Sequence, residues 1–576
     1  MQAGFDFSQI HDRIDALTNQ EGTFNYDSGA TAGKAGGLVD WITDYTFSAK
    51  AYPNGGCPSI HAADHLFCFR TFTQSFGQSA VSFATQEWAG FIQEEWRAAA
   101  TFHLSAGLRY EYEQEPVAQH PNPALDTLFG ATGATSALPK DTNNFGPRLG
   151  LAWQPLGIGK GTVRLGYGVY FGRLPGAMVR AALIDTALPG ASATHVRITP
   201  ATETLCPQVA NQGFGYGCDY ITTPPAAVGA TTTATVFDRR FRLPMVQQGS
   251  FGLEHTLGHG ITASASYVMN LDRQLPNSVD INIAPSTGTR EFQLQGGPMN
   301  GSGPVGVTNG QIFVVPFYTA RVSTLYGPVT DIVSNANGTY NALVVEATRR
   351  SRRGLEFSVG WTWAKAIDYG ESNGATPRTN GQFDPFTNGY DKGLSTLNFA
   401  HKVTASAAWE PAIATRRRLV RAAANGWQVD PLLQVMSGRP YSYEIFGGTR
   451  LTGGHTSING SGGAVYLPTI GRDTLRLPET VHLDLRVSKG VKLAERVRLR
   501  GTAEVFNLPN HVNYTSTTTR AYQPGVAVDG VTPLIFQDAA TVTAEGLNEQ
   551  PFGAFTAAST ANSRERQVQL GVKLEF

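Results

Sequence analysis

Two cysteines and two histidines near the N-terminus form the clearest cluster of metal-ligating residue types. They follow a Cys-x3-His-x3-His-x2-Cys pattern and are Cys57, His61, His65 and Cys68. Thiolate and imidazole ligands at such spacings suit a tetrahedral zinc ion. A disulfide between Cys57 and Cys68, with the two histidines exposed, explains the same pattern and is the prediction we favour. Closing so short a loop contributes about 3 kcal/mol on the chain-entropy model. We therefore predict no bound metal, with the zinc site as the alternative.

A second cysteine pair encloses a segment of alternating glycines and aromatic residues. Cys206 and Cys218 flank residues 213–217, which read Gly-Phe-Gly-Tyr-Gly. Local cysteine pairs in Gly- and Pro-rich segments predict loop disulfides and hence an oxidising compartment. The glycines lack the preceding strand and following helix of a nucleotide-binding loop. Residues 157–162 also lack the phosphate-loop spacing, and they fit a tight turn. Scattered Ser, His and Asp residues form no recognisable triad, so we predict neither an enzyme nor a cofactor.

The composition excludes several classes of protein. The chain has 576 residues with 64 Gly, 16% charged residues and a formal net charge of zero, whereas a typical soluble domain has about 25% charged residues. A general nucleic-acid binder needs an excess of basic residues, which is absent. No apolar run approaches the roughly 18 residues of a spanning helix, and we find no secretory signal after Met1. A soluble all-β protein and a transmembrane β-barrel remain.

Strict alternation in the last residues predicts a strand with one apolar and one polar face. Val568, Leu570 and Val572 alternate with polar residues up to Phe576. In a barrel the apolar face contacts lipid and the polar face the lumen. The preceding hairpin, residues 481–487 and 497–505, has the same pattern. Its polar face predicts a group of lumen-facing residues, which either pair with one another, contact a plug or line a solute path: Asp484, Arg486, Arg498, Arg500 and Glu504.

The hairpin unit recurs, and its connections alternate between short and long. Every long connection falls on one side, which a soluble sandwich or propeller does not require and an outer-membrane barrel does. We predict 13 strands from near Glu87 onward. Residues 1–85 add two or three more, with candidates at 4–8, 41–47 and 69–80, although 8–17 also fits a short helix. The predicted fold is all-β, an antiparallel transmembrane β-barrel of about 14–16 strands. It divides into residues 1–85, with N-terminal strands and a disulfide loop, and residues 86–576, the main barrel.

Arginine runs mark two of the short turns, at residues 349–353 and 416–418. A solvated turn explains them, and contact with anionic groups at the periplasmic face is the alternative. Aromatic residues flank the short turns, where an interfacial girdle would lie. They are Trp96, Phe102, Trp153, Trp409 and Trp427.

Seven stretches occur in the order found in one known family. They include Asn-Phe-Gly-Pro-Arg-Leu-Gly at 144–150 and Glu-Val-Phe-Asn-Leu-Pro-Asn-His at 504–511; the others are 91–97, 107–110, 164–168, 363–368 and 437–440. In these the chain resembles the barrel of Oar-like TonB-dependent outer-membrane receptors. The resemblance implies that the terminal Phe576 is the signal read by the barrel-assembly machinery. It also implies a location in the bacterial outer membrane, in contact with outer-membrane lipid.

The resemblance implies energised import of a large or scarce solute that an extracellular loop captures. The TonB complex would act only through an N-terminal plug. We expect the signal peptide, the plug and the first strands of such a receptor to be absent from this chain. Either the chain is the C-terminal part of a receptor, or it closes as a smaller barrel. The alternative functions are a passive plugless pore and a scaffold for surface organisation or secretion. The extracellular ligand is unknown, and no nucleic acid is expected.

Overall fold

The computed structural model describes most of the chain, and the barrel strands are contained in the described part. The described residues are 1–15, 19–26, 37–45, 71–77, 80–157, 159–188, 194–198, 232–297, 307–350, 354–370, 381–449, 456–494, 497–544, 550–558 and 565–576. All four cysteines, together with His61 and His65, lie outside these ranges. The two predicted disulfides and the alternative zinc site therefore stay predictions.

One large sheet of seventeen strands dominates the fold. Its fourteen long strands are antiparallel, and each of them pairs with the next one named here. The strands are β1 (Gln2–Asp15), β2 (Ala80–Ala99), β3 (Phe102–Gln114), β4 (Asn144–Trp153), β5 (Gly161–Phe171), β6 (Met245–Gly258), β7 (Ile261–Asp280), β8 (Val329–Arg349), β9 (Leu355–Asp368), β10 (His401–Trp409), β11 (Trp427–Met436), β12 (Thr480–Lys492), β13 (Arg498–Phe506) and β14 (Gln567–Glu575). The thirteen strands from β2 onward match the predicted number. Within the described residues, β1 and β14 each pair on one side only.

The two faces of this sheet differ sharply in polarity. Leu165, Phe251, Tyr267, Leu343 and Trp363 stand side by side across five consecutive strands. All of them except Leu343 are 43–55% exposed. Soluble monomers rarely expose so continuous an apolar band, whereas a barrel presents it to lipid. The face behind it is polar, so the alternation seen in the sequence corresponds to a lipid side and an inner side.

Tryptophans mark the end of the sheet that carries the short turns. Trp96, Trp153, Trp409 and Trp427 are 58%, 44%, 49% and 40% exposed. Each lies at the end or start of a strand beside a short turn. Indole rings at this level are typical of a membrane–water interface. Because outer-membrane barrels have short periplasmic turns, this end is the periplasmic rim.

At the opposite end, four of the long connections fold together into one unit, which we call the outer lobe. Its five-stranded sheet takes strands from the β7–β8, β11–β12 and β13–β14 connections. The β9–β10 connection adds Phe383 to the core, beside Phe292, Tyr466 and Tyr522, which are all at most 6% exposed. The strands of this sheet are Ile312–Phe317, Gly288–Gln295, Val531–Phe536, Arg520–Pro524 and Glu444–Ile445.

A second apolar core, the mouth cluster, lies at the long-connection end of the first half of the sheet. The helix Gly176–Ile184 packs there against Val81 and Phe83 of β2, Phe237, and Ile332 of β8. Five strands separate β2 from β8 in the sheet. Both can reach one cluster because the sheet curves around it, as a barrel wall does.

The N-terminal region differs from two of the sequence expectations. Residues 8–15 continue β1 and form no helix, because their backbone pairs residue by residue with β2 from Ser8 opposite Glu87 to Asp15 opposite Ala80. The strand expected at 41–47 is wrong, since Leu38–Tyr45 is a helix. Leu38, Trp41, Ile42 and Tyr45 recur at helical spacing there. The segment expected at 69–80 contains a strand, Thr71–Phe76, which belongs to a separate small sheet.

The remaining elements are short. The additional strands are Thr23–Asn25, Gly133–Ala134, Thr194–Ile198, Ala234–Asp238, Gly393–Leu394, Pro440–Tyr441, Leu475–Arg476, Tyr514–Thr517 and Phe555–Ala558. The other helices are Pro123–Phe129, Gly389–Asp391 (a single 3-10 turn), Arg418–Ala424 and Ala539–Ala544. Among the described ranges, none of the helices has the length and apolarity to cross a membrane.

Candidate functional site

A polar cavity of about 680 Å³ lies against the inner face of β2 to β7. Glycines Gly107, Gly166 and Gly168 form part of its wall and leave the backbone accessible. A Cβ atom added at Gly107 would lie 3.0 Å from the Cβ of Gln93, so a larger residue would crowd the neighbouring strand β2. Side chains with hydrogen-bonding groups border this smooth wall: Gln93, Arg109, Arg148, Tyr170, Gln248 and Asn270.

Arg109 organises the charges at one side of the cavity. Its Nη1 donates to Asp6 Oδ2 at 2.7 Å, and its Nε donates to Glu111 Oε1 at 2.7 Å. The three side chains come from β1 and β3 and meet over the inner face of β2 between them. Such charge-assisted bonds fix the guanidinium in one position. Farther inside the cavity, the Arg148 guanidinium carbon lies 4.8 Å from the centre of the Tyr170 ring.

A smaller cavity of about 290 Å³ adjoins this group toward the mouth cluster. Arg173 pairs there with Glu87, and the backbone N–H of Leu174 donates to Glu113 Oε2 at 3.2 Å. Side chains of both charges therefore line a continuous polar surface from the mouth to the wall glycines. This surface can hold a polar solute through several hydrogen bonds.

The described residues give no support for catalysis or metal binding at this surface. No group of three or more His, Cys, Asp or Glu side chains that could hold a metal ion occurs in the ranges that the structure describes. The sequence does contain one Gly-x-Ser-x-Gly spacing, at residues 370–374. Its serine lies outside the described residues, and it follows an antiparallel barrel strand, whereas a nucleophile elbow joins a strand to a helix. The spacing therefore carries no catalytic assignment.

The five residues predicted to face the lumen lie along one stripe and do not converge on a site. All five occupy the face of β12 and β13 opposite to Leu485, Val487 and Val505. Arg486 Nε lies 3.4 Å from Glu504 Oε1, which is the kind of pairing expected of a polar wall. Arg498 and Arg500 stand opposite Glu575 and Lys573 of β14, toward the periplasmic rim. Their role in a solute path stays a prediction.

Asp484 stabilises the turn formed by the matching stretch at residues 504–511. Its Oδ1 accepts the backbone N–H of Asn507 at 2.9 Å. Asn507 is fully buried and has φ +50°, a left-handed conformation that asparagine tolerates better than most residues. Its side-chain amide donates to the carbonyl of His511, and its Oδ1 accepts the N–H of His511. This stretch therefore closes the long-connection end of β13.

Phe576, the predicted assembly signal, follows β14 and is 94% exposed. Its side chain continues the apolar face of Val572 and Leu574, which are 79% and 51% exposed. The position is accessible to another protein, and its recognition by the assembly machinery stays a prediction.

The outer lobe is fixed above the sheet by buried polar contacts. Asp391 accepts hydrogen bonds from the hydroxyl of Tyr466 and from the backbone N–H of Phe383. Burial raises the pKa of Asp391 to about 6, although these two donors oppose the rise. Arg472 donates from Nε to the carbonyl of Asp391 at 2.8 Å and pairs with Asp368 at the end of β9. One guanidinium thus joins the lobe to the barrel wall.

The sequence analysis did not identify the group formed by Arg109, Glu111 and Asp6. Arg109 and Glu111 alternate with Leu108 and Tyr110, so their shared face was readable from the period of two. Asp6 lies 103 residues away along the chain. Its partnership depends on the register of β1 against β2, which one sequence does not reveal.

Asp331 offers a pH-dependent test of the mouth region. Asp331 is 1% exposed, and neither of its carboxylate oxygens has a hydrogen-bond partner among the described residues. Asp331 precedes residue 338, at which the pairing of β8 with β9 begins. It therefore lies outside the membrane-spanning part of β8. Burial raises its pKa to about 8, and the charge of nearby Asp238 adds to the rise. The folded state therefore retains a proton that the unfolded chain releases near pH 4.

We expect the stability contribution of this carboxyl to fall as pH rises from about 4 to about 8, and to level off above that range. Between pH 6 and pH 8 the local loss amounts to about 2 kcal/mol. Hydrogen exchange of the 329–332 backbone would measure it. Asp331→Asn should remove this slope, while Asp529→Asn, at an exposed turn, should keep it. An equal slope in wild type and Asp331→Asn would contradict the assignment.

The two-faced sheet, the indole belt and the polar inner cavity define a membrane protein that crosses the bilayer with strands. The chain belongs to the outer membrane beta barrel domain family, whose model matches residues 1–569. The protein is accordingly located in the bacterial outer membrane. No curated protein matches the chain.

The chain is similar to several solved structures at low sequence identity. The outer membrane transporter YddB from Escherichia coli is 12% identical, with a TM-score of 0.46 over 88% of this chain and 46% of that chain. A ferric enterobactin receptor (PfeA) mutant from Pseudomonas aeruginosa is 10% identical, with a TM-score of 0.40 over 88% and 49%. The FrpB iron transporter from Neisseria meningitidis is 11% identical, with a TM-score of 0.40 over 100% and 52%. The chain spans about half the length of these proteins.

Proposed function

We propose that this chain forms the barrel of an Oar-like TonB-dependent receptor that imports a polar solute across the outer membrane. The observation that carries the proposal is the continuous polar surface around Arg109, which leads from the mouth to the glycine-lined inner wall. The seven matching stretches favour this class over a simple pore. The outer lobe supplies a fixed surface on which a ligand can be captured before it enters.

The chain's own residues would bind and guide the solute. Arg109 is held by two carboxylates, so it presents its remaining N–H groups in a fixed direction. Arg148 and Tyr170 add a cation and an aromatic face deeper in the cavity. Energy from the TonB complex would reach the solute through a plug, as the resemblance implies, and the barrel would provide the wall.

Solute depletion by intact cells tests the proposal. The strain that encodes the protein is compared with its deletion strain in a defined medium, with and without a protonophore. Mass spectrometry follows every medium component. We expect at least one polar component to be taken up about tenfold more slowly in the deletion strain, and the protonophore to abolish the difference. Complementation with Arg109→Gln/Arg148→Gln should restore the barrel without restoring uptake, and Arg240→Gln at an exposed site should restore both.

Other outcomes identify the alternatives. Uptake that the protonophore does not affect, together with steady KCl conductance of the purified chain in planar bilayers, would establish a passive pore. Unchanged depletion of every component, with altered surface protein composition in the deletion strain, would favour the scaffold. Either result would contradict energised import.

A further inference from the structure

Unpaired basic side chains concentrate on one side of the periplasmic rim. They lie in three neighbouring turns, because β9 pairs with β10 and β11 pairs with β12. In the described part of the chain none of these side chains has an ion-pair partner. Four acidic residues lie within six positions of these cations in the sequence, Glu346, Glu356, Glu410 and Glu495. The five basic residues outnumber them, so the patch remains positive overall. We call this patch the basic rim: Arg350, Arg416, Arg417, Arg421 and Lys492.

The turn at the centre of the basic rim exposes apolar side chains between the arginines. It carries the short helix Arg418–Ala424, in which Leu419 is 87% exposed and Val420 is 46% exposed. Exposed leucine and valine beside three arginines are unfavourable in water alone. They match the boundary between headgroups and acyl chains, where a helix buries apolar residues and keeps its cations at the surface.

Two side chains hold this helix at the level of the indole belt. The indole N–H of Trp427 donates to the carbonyl of Ala423 at 2.8 Å. Lys489 Nζ donates to the carbonyls of Ala422 and Ala423 at 2.9 Å and lies 4.9 Å from the centre of the Trp427 ring. The helix is therefore tied to a side chain that itself belongs to the lipid-facing surface. Its exposed apolar residues continue that surface.

The other short turns lack this combination. The β4–β5 turn carries Lys160 as its cation, and the β6–β7 turn consists of Gly258, His259 and Gly260. Arg97 adds a cation beside the β2–β3 turn, so the positive charge is concentrated in the second half of the rim, with single cations in the first half. General solubility would not require this asymmetry.

We propose that the basic rim binds the headgroups of anionic phospholipids in the membrane leaflet that faces the periplasm. Arg416, Arg417 and Arg421 contact the phosphate groups, and Leu419 and Val420 insert among the upper acyl carbons. Basic side chains near an anionic surface attract it with a strength that salt weakens. The site is independent of solute transport and uses residues outside the lumen.

The test measures lipid retained by the purified full chain. The protein is placed in nanodiscs of phosphatidylcholine with a minor fraction of phosphatidylglycerol, released gently, and analysed by native mass spectrometry. We expect phosphatidylglycerol to be enriched over its share of the disc. Arg416→Gln/Arg417→Gln/Arg421→Gln should lower that enrichment about fivefold or more. High NaCl should lower it in the wild type. Leu419→Gln, which keeps every charge, should lower it less.

A matched control removes the same charge from the other end of the molecule. Lys140→Gln/Arg239→Gln/Arg240→Gln changes three exposed cations on the long-connection side and should leave the enrichment unchanged. Both triple variants should show the same heat-modifiable band on a gel, which verifies that the barrel has folded. Equal enrichment in the two triple variants would overturn the proposal. Binding of soluble polyglutamate without enrichment of phosphatidylglycerol would overturn it in favour of an acidic protein partner.

Discussion

Replacing Arg472 with methionine is expected to release the outer lobe from the barrel while leaving the membrane strands folded. The Arg472 side chain is 8% exposed, pairs with Asp368, and lies 3.4 Å from Asp473. Methionine fills similar space but leaves these carboxylates without their cation in a buried setting. Removing one partner of a buried ion pair costs about 3–5 kcal/mol. The loss should fall on the lobe, because Arg472 also donates to the carbonyl of Asp391 there.

Hydrogen exchange resolves this effect by region. Lobe peptides covering 440–449 and 520–536 should exchange at least about a hundredfold faster in Arg472→Met, following the energy loss above. Peptides from β10 and β11 should be unchanged. Arg240→Met is the matched control, because its side chain is 92% exposed and lies 3.9 Å from Asp238. Such surface pairs contribute about 0–1 kcal/mol. Equal lobe protection in the two variants would show that Arg472 does not fasten the lobe.

Replacing Gly438 with alanine is expected to separate the two segments of the β11–β12 connection that contain residues 438–441 and 475–477. A Cβ atom at this position would overlap the carbonyl oxygen of Leu477, which belongs to the backbone and cannot rotate away. The same segments are joined by the bond from the N–H of Leu477 to the carbonyl of Arg439, at 2.9 Å, and by the pairing of Pro440 with Arg476. Overpacking typically costs about 1–3 kcal/mol, and a clash between backbones lies at the upper end.

Limited proteolysis of the folded barrel would measure this change. We expect cleavage within 440–477 about a hundredfold faster in Gly438→Ala than in the wild type, which corresponds to about 3 kcal/mol of local opening. Gly501→Ala in β13 serves as the control, since nothing lies within 4 Å of an added Cβ there. An unchanged cleavage rate in Gly438→Ala would mean that the connection tolerates the displacement.

The sequence was most informative where polarity alternates along a strand. Leu483, Leu485 and Val487 specify one face of β12 whatever their partners are, since the side-chain period of a strand is two. The thirteen strands from β2 onward were predictable for this reason. Residues 41–47 were mistaken for a strand because a short apolar run fits both periods and the neighbouring residues in the chain do not decide between them.

The candidate site and the outer lobe depend on contacts between distant residues. Phe292 and Tyr522 share one core although 230 positions separate them. No local pattern links them, because each lies in a long connection of mixed composition. The match at 437–440 gave no reason for the glycine at 438. The cause is the carbonyl of Leu477, which only the folded backbone brings into contact.

The outer lobe combines residues from connections that are far apart in the chain, and this determines when during synthesis the lobe can fold. Its core needs Phe292 from an early connection and Tyr522 and Leu534 from the last one, which precedes β14. The core therefore cannot be completed until residue 534 has been synthesised. A chain that stops before residue 520 leaves the core without Tyr522 and Leu534, which are both fully buried in the complete lobe. Completion of the lobe thus requires most of the β13–β14 connection, and an unfinished chain exposes aromatic residues of the kind that make folding intermediates prone to aggregate.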